Sequence, residues 1–207
     1  VAVAVVDASD AGASFTRGEA SVAQTAVEFA NFGVEHILIG YDHLAFLLAL
    51  LLVARTGKEI IGVVSGFTVA HSITLTLAGI GLIHPPGAAV EVAIAASIAY
   101  AGFENLVEPS ARRRFVLTFF LGLIHGFGFA GALTELGLPR GNLVAALVSF
   151  NVGVELGQLA LVGLVFPLLL AARKSERWTK RGVPALSIAI ALLGCFWVVE
   201  RCVSLAG

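Results

Sequence analysis

The sequence has little charge and too few polar residues to cover a soluble domain. Only 13% of its 207 residues are charged, 58% are hydrophobic, and the mean hydropathy is +0.94. A soluble domain typically has about 25% charged and about 45–50% apolar residues. The composition therefore excludes an ordinary soluble domain and indicates an integral protein of the lipid bilayer.

The sequence also lacks methionine, a basic patch and a pair of cysteines that can bridge. It begins at Val1, which we interpret as the start of a processed or trimmed product. The formal net charge of −1 says nothing about nucleic acid, but without a basic patch or an aromatic ladder we expect no nucleic-acid partner. Cys195 and Cys202 are about 10.5 Å apart along a helix, which is too far for a disulfide between them.

Long apolar segments dominate the rest of the chain, and most of them end at glycine, proline or charged residues. A helix of about 20 such residues crosses a bilayer. We predict an all-α bundle of about six transmembrane helices, at 37–54, 59–83, 88–107, 113–136, 142–171 and 183–204. Residues 34–207 form this transmembrane domain. Residues 1–33 are expected to form an extracytoplasmic or interfacial segment, with 21–32 as a helix at the membrane surface.

Lysine and arginine are concentrated in alternate loops. The loops after the first, third and fifth predicted spans are rich in them, whereas those after the second and fourth contain Arg140 alone. Because basic loops stay in the cytoplasm, this pattern predicts that both termini lie outside.

Polar side chains occur at similar depths in four of the predicted spans. His43 lies in the first, His71 and His125 at the centres of the second and fourth, and Asn151 and Glu155 near the centre of the fifth. An ionisable group in the membrane costs about 2.5 kcal/mol or more and usually faces the bundle interior. Neutral imidazole commonly binds zinc, nickel, copper and iron, so a divalent cation would offset that cost.

Three more polar residues adjoin this predicted site. Asp42 either binds the ion or orients an imidazole. His36 precedes His43 by seven residues, about 10.5 Å on an ideal helix, so the two cannot easily share one ion. Two arrangements stay open: Gly40 breaks the helix and returns His36 to the site, or His36 belongs to an outer site that Glu91 can join.

Other polar residues are expected to have structural roles. We predict that Ser72 bonds within its own helix, that His84 is a solvated turn residue, and that Glu200 and Arg201 form an interfacial pair.

Five motifs occur in one order along the chain: HILIGYDHLAFLLALLL, FTVAHSITLTLA, VEVAIAASIAYAGFEN, FLGLIHGFGFAGAL and FNVGVELGQL. Together they resemble the HupE/UreJ family of small polytopic bacterial membrane proteins, over about Phe32 to Leu159. The resemblance implies about six helices in the bacterial inner (cytoplasmic) membrane. In better understood members it implies a permease for nickel or a related divalent metal, which serves hydrogenase or urease maturation. The metal-site candidates on this resemblance are His36, Asp42, His43, His71, Glu91, His125, Asn151 and Glu155.

The sequence departs from the nickel-permease branch at two places. That branch opens its first motif with a His-Pro pair, where this chain has His36 and Ile37, and it has a second histidine shortly after the equivalent of His125. Here that stretch is Phe127-Gly128-Phe129. The chain is therefore more similar to a second branch, for which the metal is open among nickel, zinc and cobalt.

These observations lead to three hypotheses. The first is a divalent-metal binding membrane protein that acts as a permease. The second is an intramembrane zinc-dependent hydrolase, since three histidines with an open position are a catalytic zinc pattern; Asp42 or Glu155 then serves as general base and Ser72 positions a lipid-like substrate. The third is a structural or accessory subunit. Assembly as a homo-oligomer or within a larger membrane complex is left open.

Overall fold

The computed structural model describes residues 21–107, 111–129 and 140–206, and this part of the chain is helical without strands. Its α-helices are α1 (Val22–Ile39), α2 (Tyr41–Val53), α3 (Gly57–Gly79), α4 (Gly87–Glu104), α5 (Ala111–Gly128), α6 (Leu143–Ala172) and α7 (Val183–Ala206). Short 3-10 turns at Asn105–Val107 and Arg140–Asn142 follow α4 and precede α6, and a π turn at Trp178–Gly182 precedes α7. Residues 1–20 of the predicted N-terminal segment and 130–136 of the predicted fourth span lie outside the described residues.

The helices are those of a membrane bundle, which confirms the predicted fold class. Four described helical stretches are long and apolar enough to cross a bilayer, and the pair α1–α2 provides a fifth if it counts as one bent span. The four are Gly57–Gly79, Gly87–Val107, Leu143–Ala172 and Trp178–Leu205. The ends of the first three agree with those of the predicted second, third and fifth spans to within a few residues. The number six and the outward termini stay predictions.

The first predicted span, at 37–54, differs from the structure. Its residues belong to two helices, α1 and α2, instead of one. The chain breaks at Gly40, and α1 and α2 meet there at 69°. α1 begins where the surface helix over 21–32 was predicted to begin, after a capping box in which Ser21 and Gln24 bond each other's backbone N–H groups, and it continues past that helix to Ile39. The boundary expected after residue 33 therefore falls inside α1. Polar residues on the exposed side of α1, such as Glu28 and Glu35, lower the hydropathy of that stretch, so a surface helix over 21–32 was predicted instead of one helix that continues to Ile39.

α1 packs along α6, and in the same way α3 packs along α5 and α4 along α7. The α1–α6 contact is close because glycines stand at both sides. A Cβ added at Gly33 would overlap the Phe150 carbonyl, and one at Gly153 would overlap the Ala30 carbonyl. Phe29, on the stretch expected at the membrane surface, is buried in this contact. Small residues at such positions let membrane helices approach closely.

α2 lies in the centre of the bundle and is apolar on every side. A helix that is hydrophobic all round is normally buried, and the buried residues of α2 are Phe46, Leu47, Ala49, Leu50, Leu51 and Leu52. Its last carbonyl groups accept hydrogen bonds from side chains of other helices. Arg173 donates to Leu51, Leu52 and Ala54, and Arg114 and Asn105 both donate to Ala49. These bonds satisfy the carbonyls that every helix leaves unpaired at its C-terminus.

Candidate metal centre

The break at Gly40 brings two histidines together. His36 lies in the last turn of α1 and His43 in the first turn of α2, with ring centroids 4.5 Å apart. Residues seven positions apart on a continuous helix are about 10.5 Å apart. A Cβ at residue 40 would lie 2.7 Å from the His36 carbonyl and 2.8 Å from His43 Nδ1, so only glycine fits without displacing them. Of the two arrangements that the sequence left open, the structure has the broken helix.

His71 completes a group of three imidazoles that can hold a metal ion. It lies on α3 and is fully buried, and its ring centroid is 6.1 Å from that of His36. One nitrogen from each of His36, His43 and His71 lies within 4.8 Å of the other two. Bonds to an ion such as zinc are about 2.0–2.2 Å, so movements of about 1 Å at the nitrogens bring all three onto one ion.

Asn151 determines which nitrogen of His71 is available. The Asn151 side-chain nitrogen donates to the Leu147 carbonyl at 2.8 Å, which turns its oxygen toward His71 Nδ1 at 3.3 Å. Nδ1 therefore carries the proton, since an amide oxygen only accepts. The Nε2 atom of His71 is left with its lone pair, buried and without a hydrogen-bond partner. Such a bond to the far nitrogen is the usual support of a metal-binding histidine.

Ser97 has the corresponding role for His125. The Ser97 hydroxyl donates to the Ile94 carbonyl at 2.7 Å and therefore accepts from His125 Nε2 at 2.9 Å. The lone pair of His125 is thus on Nδ1, which is buried and has no partner. The His125 ring is 5.3 Å from that of His43, beside the group of three. Ser97 was not predicted to be part of the site, because a serine on an apolar helix gives no sequence signal of its partner.

Four buried imidazole nitrogens in this region have no hydrogen-bond partner among the described residues. They are Nε2 of His36, His43 and His71 and Nδ1 of His125. Leaving a buried polar atom unpaired costs about 1–3 kcal/mol. Ligation of a cation would satisfy these lone pairs, so the donor set fits a divalent transition metal.

Aromatic rings surround the imidazoles. The His36 ring lies 4.2 Å from that of Phe129, which stacks on Phe150 at 4.6 Å. Phe67 lies between His71 and His125, with its centroid 6.0 and 5.2 Å from theirs. These apolar walls restrict water and favour the neutral imidazoles that ligation requires.

A cavity of about 460 Å³ leads to the histidines. His36, His43 and His125 line its inner part, and the exposed side chains of Ile39 and Tyr41 lie at its rim. The cavity therefore connects the candidate centre with the surface of the bundle.

Asp42 and Glu91 line this cavity but are not in the group of three histidines. Asp42 Oδ2 pairs with Arg201 Nη2 at 2.6 Å, and the Glu91 backbone carbonyl accepts from Arg201 Nη1 at 2.6 Å. The sequence prediction that Arg201 belongs to an interfacial pair with Glu200 is wrong, since Arg201 pairs with Asp42. A long side chain whose partner is distant in sequence cannot be assigned from spacing.

Glu155 also lies apart from the histidines. Its carboxylate accepts from the Ser65 hydroxyl at 2.6 Å, one helical turn from Asn151. Both residues line a second groove of about 400 Å³ between α3 and α6, which shares no lining residue with the first cavity. Ser72 lines this groove too, and its hydroxyl donates to the Thr68 carbonyl at 2.6 Å, the structural role that was predicted.

Most of the chain matches a known protein family. The family model described as HupE / UreJ protein matches residues 13–201. The chain belongs to the HupE/UreJ family. In this HupE/UreJ protein the histidines of the first and second motifs form the group of three, and His125 of the fourth motif lies beside it. The family suggests a membrane protein related to metal transport. No curated protein and no solved structure matches the chain.

Proposed function

We propose that this HupE/UreJ protein is a permease for a divalent transition metal, with His36, His43 and His71 as its binding site and His125 beside them. One observation carries the proposal: three imidazole nitrogens from separate helices lie within 4.8 Å of one another inside a membrane bundle. Scattered packing histidines have no reason to converge in this way, and their unpaired buried lone pairs are costly without an ion.

The transported ion is nickel, zinc or cobalt, and the protein is expected in the bacterial inner membrane. Borderline ions of this kind suit imidazole ligands, whereas magnesium and calcium prefer oxygen. The ion enters through the cavity that Glu91 and Asp42 line, and it binds at the histidines. Release to the cytoplasm follows a rearrangement of α5 and α6, where glycines such as Gly126 and Gly153 form the closest helix contacts.

Metal accumulation by cells tests this proposal. His71→Gln removes a ligand without leaving a large cavity, and we expect it to abolish the accumulation of nickel, cobalt and zinc above the level of cells without the protein. The matched control is His84→Gln, because His84 is exposed and lies outside the site. The total metal of washed cells is measured at equal amounts of protein in the membrane fraction.

The other two hypotheses predict different results. Unchanged metal accumulation in cells with His71→Gln would contradict the proposed transport function. Tightly held zinc together with hydrolysis of a lipid would then indicate the hydrolase, and copurification with fixed partners but no metal would indicate the accessory subunit.

A further inference from the structure

Arg201 joins three helices at the cavity that leads to the histidines. From α7 it reaches Asp42 on the first turn of α2, with Nη2 and Oδ2 2.6 Å apart. Its Nη1 atom donates to the Glu91 carbonyl on α4 at 2.6 Å. Both side chains of the ion pair are mostly buried, with 20% of Arg201 and 23% of Asp42 exposed. This pair lies on the route to the candidate centre.

The cavity has an excess of carboxylates. Asp42, Glu91 and Glu200 line it, and Arg201 is the one arginine or lysine among its described lining residues. The carboxylate that directly precedes His43 in sequence is therefore already neutralised by an internal cation. A metal ion that approaches the histidines therefore meets an Asp42 carboxylate that is already paired with Arg201.

We propose that Arg201 is an exchangeable counter-cation that makes the route selective for divalent ions, and this inference rests on the proposed function. An arriving divalent ion takes Asp42 from the guanidinium, because its double charge attracts the carboxylate more strongly than a single charge does at the same distance. A monovalent ion has no such advantage and competes with a guanidinium that is tethered next to the carboxylate. Arg201 keeps its bond to the Glu91 carbonyl during the exchange.

Zinc binding to the purified full chain tests this inference. The variants are Arg201→Gln, Arg201→Lys, Asp42→Asn and the double variant with Arg201→Gln and Asp42→Asn. Directly coupled charges typically interact strongly enough to change affinity by roughly 2- to 150-fold. We therefore expect Arg201→Gln to tighten zinc binding by that factor and to make it sensitive to competition by sodium. Arg201→Lys keeps the charge and should resemble the wild type in sodium resistance.

Two results would overturn the inference. The first is weaker zinc binding in Arg201→Gln, similar to that in Asp42→Asn. The second is a change in zinc affinity from Arg201→Gln that is equally large in the double variant with Asp42→Asn, since the exchange requires the Asp42 carboxylate. Thermal unfolding of each variant separates these results from a loss of structure, and Arg201→Lys retains the link between helices if Arg201→Gln unfolds.

His71→Gln separates this inference from the proposed function. If His71→Gln binds zinc like the wild type while Arg201→Gln still tightens binding, the three-histidine site is wrong and the exchange at Asp42 stands. If His71→Gln loses zinc binding while Arg201→Gln changes neither affinity nor sodium competition, the exchange is wrong and the metal site stands.

Discussion

At the scale of single residues, two polar side chains orient imidazoles of the candidate centre. Asn151 fixes the proton of His71 on Nδ1, and Ser97 fixes that of His125 on Nε2. Each of these partners is oriented in turn by a backbone carbonyl of its own helix, Leu147 for Asn151 and Ile94 for Ser97. The proton positions of two imidazoles are therefore set before any ion arrives, which leaves His71 Nε2 and His125 Nδ1 unprotonated and reduces the cost of binding.

Asn151→Leu tests this support. The leucine has a similar size but cannot accept from His71, so its ring loses the bond that selects the tautomer. We expect the dissociation constant for zinc to rise by about 10- to 100-fold, as is typical when such a partner of a metal-binding histidine is removed.

Gln158→Leu is the matched control, because Gln158 also bonds α3 from α6, through Thr68 at 2.8 Å, without contacting an imidazole. Equal losses of zinc affinity in Asn151→Leu and Gln158→Leu would indicate that zinc binding depends on the contact between α3 and α6 and not on the tautomer of His71.

At the scale of the helices, the break at Gly40 makes the site. It converts one expected span into two helices at 69° and places His36 against His43. The Gly40 backbone is extended, with φ −70° and ψ 95°, which other residues can adopt. Glycine is required here by space, since a Cβ meets both the His36 carbonyl and the His43 ring.

Gly40→Ala should therefore weaken zinc binding by about tenfold or more, because a shift of about 1 Å at a ligand has an effect of this size or larger. Zinc titration of the purified variant measures the change.

Gly62→Ala on α3 is the control, since a Cβ at residue 62 has no neighbour within 4 Å. Wild-type affinity in Gly40→Ala would contradict the role assigned to the break.

At the scale of the whole molecule, the cavity at the α1–α2 break and the basic loop before α7 should face opposite sides of the membrane. Single cysteines in a background without Cys195 and Cys202 test this orientation. We expect a maleimide that cannot cross the membrane to label Tyr41→Cys in intact cells and to label Ser175→Cys only after the cells are opened. Both positions are exposed in the structure. The reverse pattern would overturn the predicted orientation and the direction of transport.

The sequence predicted most of the bundle because long apolar runs with clear ends identify helices by composition alone. The second, third and fifth predicted spans needed no knowledge of tertiary contacts. The predicted convergence of histidines relied on their equal depth in separate spans, which the helical rise supplies.

Three features required the structure. Whether Gly40 bends a helix is decided by what packs around it, since glycine is tolerated within apolar helices. Glu155 was grouped with the metal ligands because it lies at a similar depth and within a family motif, yet its carboxylate pairs with Ser65 in the second groove. The partner of Arg201 lies 159 residues away in sequence, beyond any local pattern.

The buried position of α2 has a consequence for permeation kinetics. From His43 to Val53 the helix continues for about 15 Å, and the void that its second half encloses with α3 measures only about 10 Å³, room for about one water molecule. If the protein is a permease as proposed, an ion that leaves the imidazoles toward this void finds room there for about one water molecule, so we expect passage to require that the helices separate and close again. Flux should consequently saturate with ion concentration, and its rate should follow helix motions on the microsecond-to-second scale instead of ionic diffusion.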